Sequence, residues 1–286
     1  MKHAVNAFFI VLSLAFVFPL ALIVSISLSS EQSLLNDGYL LIPREISFQA
    51  YHIIFKQPQQ LLHAYEVTIA VTAIGTVAGL LFTAMIAFTL SRKDYAFRKF
   101  TTVYIVIPML FSGGLVPFYI MVSQYLHLKD TLPALILPGL ISPFYILIMK
   151  GFLDKLPGEM FDSAKMDGAG EFRLFATIVL PLSTPALATI GLFISFSYWN
   201  DWWLGLLFID NKDLVPLQLL LYRIMNSINF MTSEINKNII FIDMSQFPSL
   251  STRMAMAVLA AGPMMFVFPF FQRYFVSGLT VGSVKN

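Results

Sequence analysis

Cysteine is absent from the 286 residues, which excludes disulfide bridges, thiolate catalysis and Cys-based metal sites. Charge is scarce as well. Asp, Glu, Lys and Arg make up 12% of the chain while 57% of it is hydrophobic, and an ordinary soluble domain carries about 25% charged residues. A soluble globule could not hide this much apolar surface. The formal net charge of +2 is too small to point to a nucleic-acid partner. His3, His52, His63 and His127 fall outside the apolar runs, and no pair among them has helical metal-ligand spacing, so they are assigned to loop surfaces and no metal site is expected. There is no G-x-x-x-x-G-K-[ST] phosphate loop, so ATP hydrolysis cannot come from this chain.

The few charges are unevenly placed. Ala4 to Ser30, Val67 to Ser91, Phe100 to Leu126, Thr131 to Met149, Leu174 to Asn200 and Met254 to Gln272 contain none. Each run is about long enough to cross a bilayer as a helix, which takes roughly 17 to 25 residues. A closed β-barrel would show short alternating segments instead, so the fold class is an all-α membrane protein. We expect six transmembrane helices in a single domain, over about 5–28, 67–91, 100–123, 131–150, 180–203 and 254–275. The first run is long and lacks a small-x-small cleavage site before Ser25 to Ser30, so it is read as a retained helix rather than a signal peptide.

The absence of ionisable residues from these runs argues against a carrier driven by an ion gradient, which needs such groups at mid-membrane. A membrane-embedded enzyme would need paired acids, a metal cluster or an activated nucleophile, and the inner acidic pair Asp162 with Asp167 is the candidate for it. With the N-terminus inside, the inner segments hold Lys2, Arg92, Lys93, Arg98, Lys99, Lys150, Lys155, Lys165, Arg173, Arg273 and Lys285, eleven of the 18 basic residues. The other seven are spread over longer outer segments. The positive-inside rule then places both termini in the cytoplasm.

Prolines lie in or beside several spans, Pro108, Pro117, Pro138, Pro181 and Pro263 among them, and predict kinks. Gly75 and Gly79 form a G-x-x-x-G that lets another helix approach closely. In the long outer loop from about 205 to 252, Leu214, Leu217, Leu221, Ile224, Met225 and Ile228 recur at helical spacing and predict an amphipathic helix, either a lid on the bundle or a partner contact.

The informative segment is the inner loop 151–180. Its run from Glu159 to Arg173 is polar, with Phe161, Ala164 and Met166, then Phe172, Phe175 and Ala176, at helical spacing on either side of Gly168 and Gly170. The pattern predicts a short helix, a glycine cap or bend, and a second helix that Pro181 joins to the fifth span. Two short helices at an angle make a rigid knob able to accept force from a cytoplasmic partner; a loop lying on the membrane surface is the alternative from pattern alone.

These residues resemble the membrane subunits of binding-protein-dependent ABC importers, whose signature is E-A-A, three residues, G, nine residues, then I-x-L-P. Asp162-Ser163-Ala164 stands in the E-A-A place, Gly168 has the glycine spacing, and Ile178, Leu180 and Pro181 close the motif. Asp for Glu shortens the acidic arm by one methylene and keeps its charge. Trp199-Asn200-Asp201 and the tail from Gln272 to Lys285 are similar to the carbohydrate-uptake permeases of the MalG side, and the wording Ser163 to Glu171 is similar to the subgroup associated with complex oligosaccharides. The likeness covers spans two to six and the tail.

The resemblance implies a MetI-like fold and a non-catalytic subunit of the bacterial plasma membrane. It implies a second, non-identical permease, a cytoplasmic ATPase dimer that uses ATP and Mg, and an extracellular solute-binding protein that delivers an oligosaccharide. Asp162, Ser163, Ala164, Asp167 and Gly168 would form the ATPase-docking surface, and the tail 277–286, through Gly278, Leu279 and Thr280, would also touch the ATPase. At the outer end of span five, Tyr198, Trp199, Asn200, Asp201 and Trp202 supply aromatic faces and polar groups suited to a sugar. An interfacial aromatic belt uses the same residue types.

Overall fold

The computed structural model describes residues 2–56, 58–236 and 249–281. The chain runs through α1 (Lys2–Ser27), α2 (Glu31–Asp37), α3 (Gln49–Ile54), α4 (Pro58–Ser91), α5 (Arg98–Leu110), α6 (Leu115–Ile120), α7 (Leu132–Ile136), α8 (Pro143–Leu153), α9 (Gly158–Met166), α10 (Glu171–Leu174), α11 (Leu180–Leu182), α12 (Thr184–Trp199), α13 (Trp203–Phe208), α14 (Leu217–Asn236) and α15 (Ser249–Val281). Among the described residues β structure is limited to one isolated bridge, Ser29 to Ile46.

Among the described residues three helices are long and apolar enough to cross a bilayer unaided: His3–Ser27, Pro58–Ser91 and Ser249–Val267. Three bent pairs are long and apolar enough when each is taken together: Arg98–Leu110 with Leu115–Tyr125 at 113°, Leu132–Gly139 with Pro143–Leu153 at 48°, and Glu171–Leu182 with Thr184–Trp199 at 81°. The stretch expected as one helix over 100–123 is therefore broken. At the break Gly114 has φ +85 and ψ 170, a combination essentially confined to glycine. The stretch expected over 180–203 is likewise divided, chiefly into α11 and α12, because the chain turns at Ser183. Pro185 cannot donate to the carbonyl of Pro181, which accepts instead from a backbone N–H of the cap and from the Thr184 hydroxyl at 2.7 Å.

The chain divides into two compact units, Met1–Ala64 with Leu217–Pro263, and Tyr65–Pro216 with Met264–Asn286. In the first unit, the end of α1 is tied into a short polar hairpin. Ser25 Oγ donates to Leu40 O at 2.6 Å, Ser47 N to Leu28 O at 2.8 Å, and the Ser27 and Tyr51 hydroxyls lie 2.9 Å apart. Ser30 caps α2, accepting from Ser33 N at 3.2 Å. The amphipathic helix expected near residue 214 is α14; it buries Leu217, Leu219, Leu220, Leu221 and Ile228 and leaves Met225 exposed. Along α1 the apolar side chains from Val5 to Leu20 are largely exposed, as suits a helix whose solvent is lipid.

The second unit packs around the Tyr198 ring. A Cβ on Gly75 would lie 2.5 Å from that ring and one on Gly139 3.3 Å from it, so both positions are glycine for lack of room. The Gly75 end of the G-x-x-x-G thus admits an aromatic ring, while Gly79 meets backbone, its Cβ position lying 3.2 Å from Leu140 O. Phe208 is fully buried with Val122 and Ala134 and stacks on Tyr119 at 5.6 Å. Asp130, at φ +57, accepts from the backbone amides of Asp210 and Asn211 at 2.6 and 2.8 Å, so the loop before α7 is pinned to the one after α13.

Candidate functional site

The 151–180 loop folds as a helix, a turn and a helix. After Met166, Gly168 N donates to Lys165 O at 3.0 Å and Ala169 N to Ala164 O at 3.0 Å, the paired bonds of a Schellman cap, with Gly168 at φ +79 as its left-handed residue. Nothing lies within 4 Å of where a Cβ on Gly168 would sit. Glycine is required there for backbone conformation alone, a different reason from that at Gly75.

An ion network holds the two short helices together and to the turn after α4. Lys165 Nζ lies 2.8 Å from Glu171 Oε1 across the cap and 3.0 Å from Asp94 Oδ2. Arg92 reaches the same two carboxylates, at 3.0 Å to Asp94 and 3.9 Å to Glu171. Its guanidinium also lies over the Phe161 ring at 5.3 Å and the Phe88 ring at 5.9 Å, at cation–π distance. Phe88 in turn packs against Phe175 at 5.7 Å. Hydrogen bonds from Arg92, then from Lys165, lower the Asp94 carboxyl to a pKa of about 2. Those to Glu171 and then Asp94 raise that of the Lys165 ammonium. Both shifts favour the charged forms. A second group joins the same turn to the end of α8: Arg98 pairs with Asp154 at 3.3 Å, Lys150 with Asp154 at 2.5 Å, and Arg98 Nε donates to Leu90 O at 2.8 Å.

Asp162, Ser163, Asp167 and Gly168 are all exposed on this knob, with Ala164 half-buried. Ser163 spends its hydroxyl on Glu159 O at 2.8 Å, and Asp167 is the C-cap residue of α9. Asp162 borders an open cavity of about 330 Å³ that Arg92, Asp94, Asp154, Phe161 and Lys165 also line. Two apolar side chains stand out of the knob into solvent, Met166 at 83% and Phe172 at 80% exposure.

The cluster expected from Tyr198 to Trp202 does not share one surface. Tyr198 is buried and its hydroxyl donates to Ile136 O at 2.8 Å. Trp199 is buried, with its ring 6.4 Å from that of Tyr65. Asn200 donates to Phe196 O, and Asp201 accepts from the amides of Trp203 and Leu204 at 2.8 and 3.0 Å, capping α13. Trp202 is partly exposed, edge-on to Trp203 at 5.6 Å. In the tail, Gly278, Leu279 and Thr280 continue the backbone of α15, and residues 282–286, Lys285 included, lie outside the described residues. Among the described residues no group of three or more His, Asp or Glu is placed to hold a metal ion.

Residues 75–281, which contain the whole knob, match the family described as the binding-protein-dependent transport system inner membrane component. The chain belongs to that family. It is an ABC importer permease, a multi-pass membrane protein whose family works with a partner permease, an ATPase and a solute-binding protein. The permease is 34% identical over 282 residues to the polygalacturonan/rhamnogalacturonan transport system permease protein YtcP of Bacillus subtilis, covering 99% of this chain and 97% of the other. It is 29% identical to the arabinooligosaccharides transport system permease protein AraQ of the same organism, over all of this chain and 96% of that one. Among solved structures it is similar to a bacterial ABC transporter involved in the import of the acidic polysaccharide alginate, with a TM-score of 0.78 and 25% identity over 96% of each chain.

The sequence reading of the permease missed the roles of Arg92, Asp94 and Glu171. Arg92 was legible only as part of a basic cluster that sets orientation. Its neighbour Asp94 meets a lysine 71 residues away, and nothing local marks that pairing.

Proposed function

We propose that this permease and a second, non-identical one form the pathway for an oligosaccharide handed over by an extracellular solute-binding protein. A separate cytoplasmic ATPase dimer, which uses ATP and Mg, would drive the cycle by docking on the 151–180 loop. The observation that carries this reading is the knob: a Schellman-capped helix with exposed Asp162 and Asp167, braced by ions and offering Met166 and Phe172 to a partner. Asp162 would accept a charge-assisted hydrogen bond from a basic residue of the ATPase. The tail through Gly278, Leu279 and Thr280 would add a second contact. This chain contributes no catalytic group. It sits in the bacterial plasma membrane with both termini cytoplasmic, the side its basic residues favour.

Of the outer cluster, Trp202 presents a ring that a sugar face could stack on, while buried Tyr198 and Trp199 act by holding α12 in place. The relatives' names span galacturonate-rich and arabinose oligosaccharides, and the alginate importer carries an acidic one, so acidic and neutral fragments belong in one panel. The test is ATPase turnover of the complex reconstituted with its binding protein. Stimulation by one oligosaccharide class is expected; stimulation only by non-carbohydrate solutes would sink the substrate reading.

A further inference from the structure

The ion network has a geometry that docking alone does not require. Asp94 belongs neither to the α9–α10 knob nor to a span; it sits in the turn between α4 and α5. Its Oδ2 is shared by Arg92 and Lys165, each at 3.0 Å, and its Oδ1 is 3.2 Å from Arg92 Nε. Lys165 also closes the cap to Glu171 at 2.8 Å. The same turn is fastened to α8 by Arg98 and Asp154.

Force arriving at the knob has two covalent ways out, through residues 154–157 to α8 and through the segment after α10 to α12, and the second is bent by 81° at Ser183. A bent joint yields unless a second connection holds it. We infer that Asp94 is a positioning residue that braces the knob to the second span, α4, so that ATP-driven movement reaches α4 and α12 together. Isolated exposed ion pairs add little stability, so the shared, multiply bonded carboxylate is a device of geometry, and its loss acts on coupling rather than on folding. The inference rests on the knob being the ATPase dock, and the two are separable by experiment.

The chain's lack of cysteine makes the test direct. Nitroxides are attached at Met85→Cys on α4 and Arg173→Cys on α10, in a complex whose other subunits are cysteine-free, and their separation is measured with and without ATP trapped by vanadate. With Asp94 in place one separation is expected in both states. In Asp94→Asn the separation shifts on trapping while the ATPase stays bound and hydrolyses ATP. Asp94→Glu, which keeps the charge, restores the single separation, and Lys165→Met reproduces the shift should Asp94→Asn fail to insert. An unchanged separation in both Asp94→Asn and Lys165→Met overturns the brace. Loss of the ATPase from the Asp94→Asn complex also overturns it, because Asp94 would then belong to the dock. The docking reading fails on a different result, full retention of the ATPase by Asp162→Lys.

Discussion

Gly168 and Gly75 are both glycines for a physical reason, and they differ in what a replacement would meet. At Gly75 a Cβ would stand 2.5 Å from the Tyr198 ring, whereas at Gly168 it would stand in open space with the backbone at φ +79. For an L-residue the left-handed region costs roughly 1–2 kcal/mol, and Asn is among the few that visit it readily. Uptake is therefore expected to fall in the order Gly168, Gly168→Asn, Gly168→Ala, although alanine is the smaller side chain. Measuring transport by reconstituted complexes of the three separates conformation from size, and an Asn variant worse than the Ala variant would mean that bulk decides. Gly168 was legible because its spacing from Asp162 and Pro181 lies along the chain. Asp94 was not, because its meaning comes from Lys165 and Glu171, which only folding brings beside it.

At the level of elements, the first described turn of α15 is held by a residue near the other end of the chain. Glu31, 3% exposed, accepts from Ser249 Oγ, Leu250 N, Ser251 N and Ser251 Oγ at 3.1, 2.9, 3.2 and 3.1 Å. A helix leaves its first amides without partners, and a carboxylate there also meets the positive end of the dipole. Glu31→Ala would leave these donors unpaired in a buried place, at a cost of about 1–3 kcal/mol. A lower thermal midpoint for the purified protein is expected, with Glu31→Gln falling between it and the parent; equal midpoints for all three would show the cap to be idle. Hydropathy placed the sixth helix at 254, whereas α15 already includes Ser249, because polar Ser249, Ser251 and Thr252 lower the average while the donors of Ser249 and Ser251 are met by a carboxylate 218 and 220 residues away. The break at 111–114 escaped the same measure for the opposite reason. Its signal, Gly113-Gly114 with Pro108 and Pro117 on either side, is local, but an average over a span-length window dilutes it.

For the whole molecule, orientation is the claim on which the reading of the knob depends, since a knob outside the cell could meet no ATPase. It rests on the distribution of basic residues, eleven of 18 on one side in short segments. The cysteine-free chain again permits a clean measurement with single substitutions at exposed positions. Lys212→Cys lies beyond α13 and Met166→Cys at the tip of the knob. A membrane-impermeant maleimide added to intact cells is expected to label Lys212→Cys, and to label Met166→Cys only once the membrane is opened. If the knob is the dock, labelling of Met166→Cys in opened membranes is slower when the ATPase is present than when it has been stripped. Reversed sidedness would overturn the orientation and the docking surface with it. Correct sidedness without protection would leave the orientation standing and move the ATPase contact elsewhere on the inner face, so the two claims are answered separately by one pair of variants.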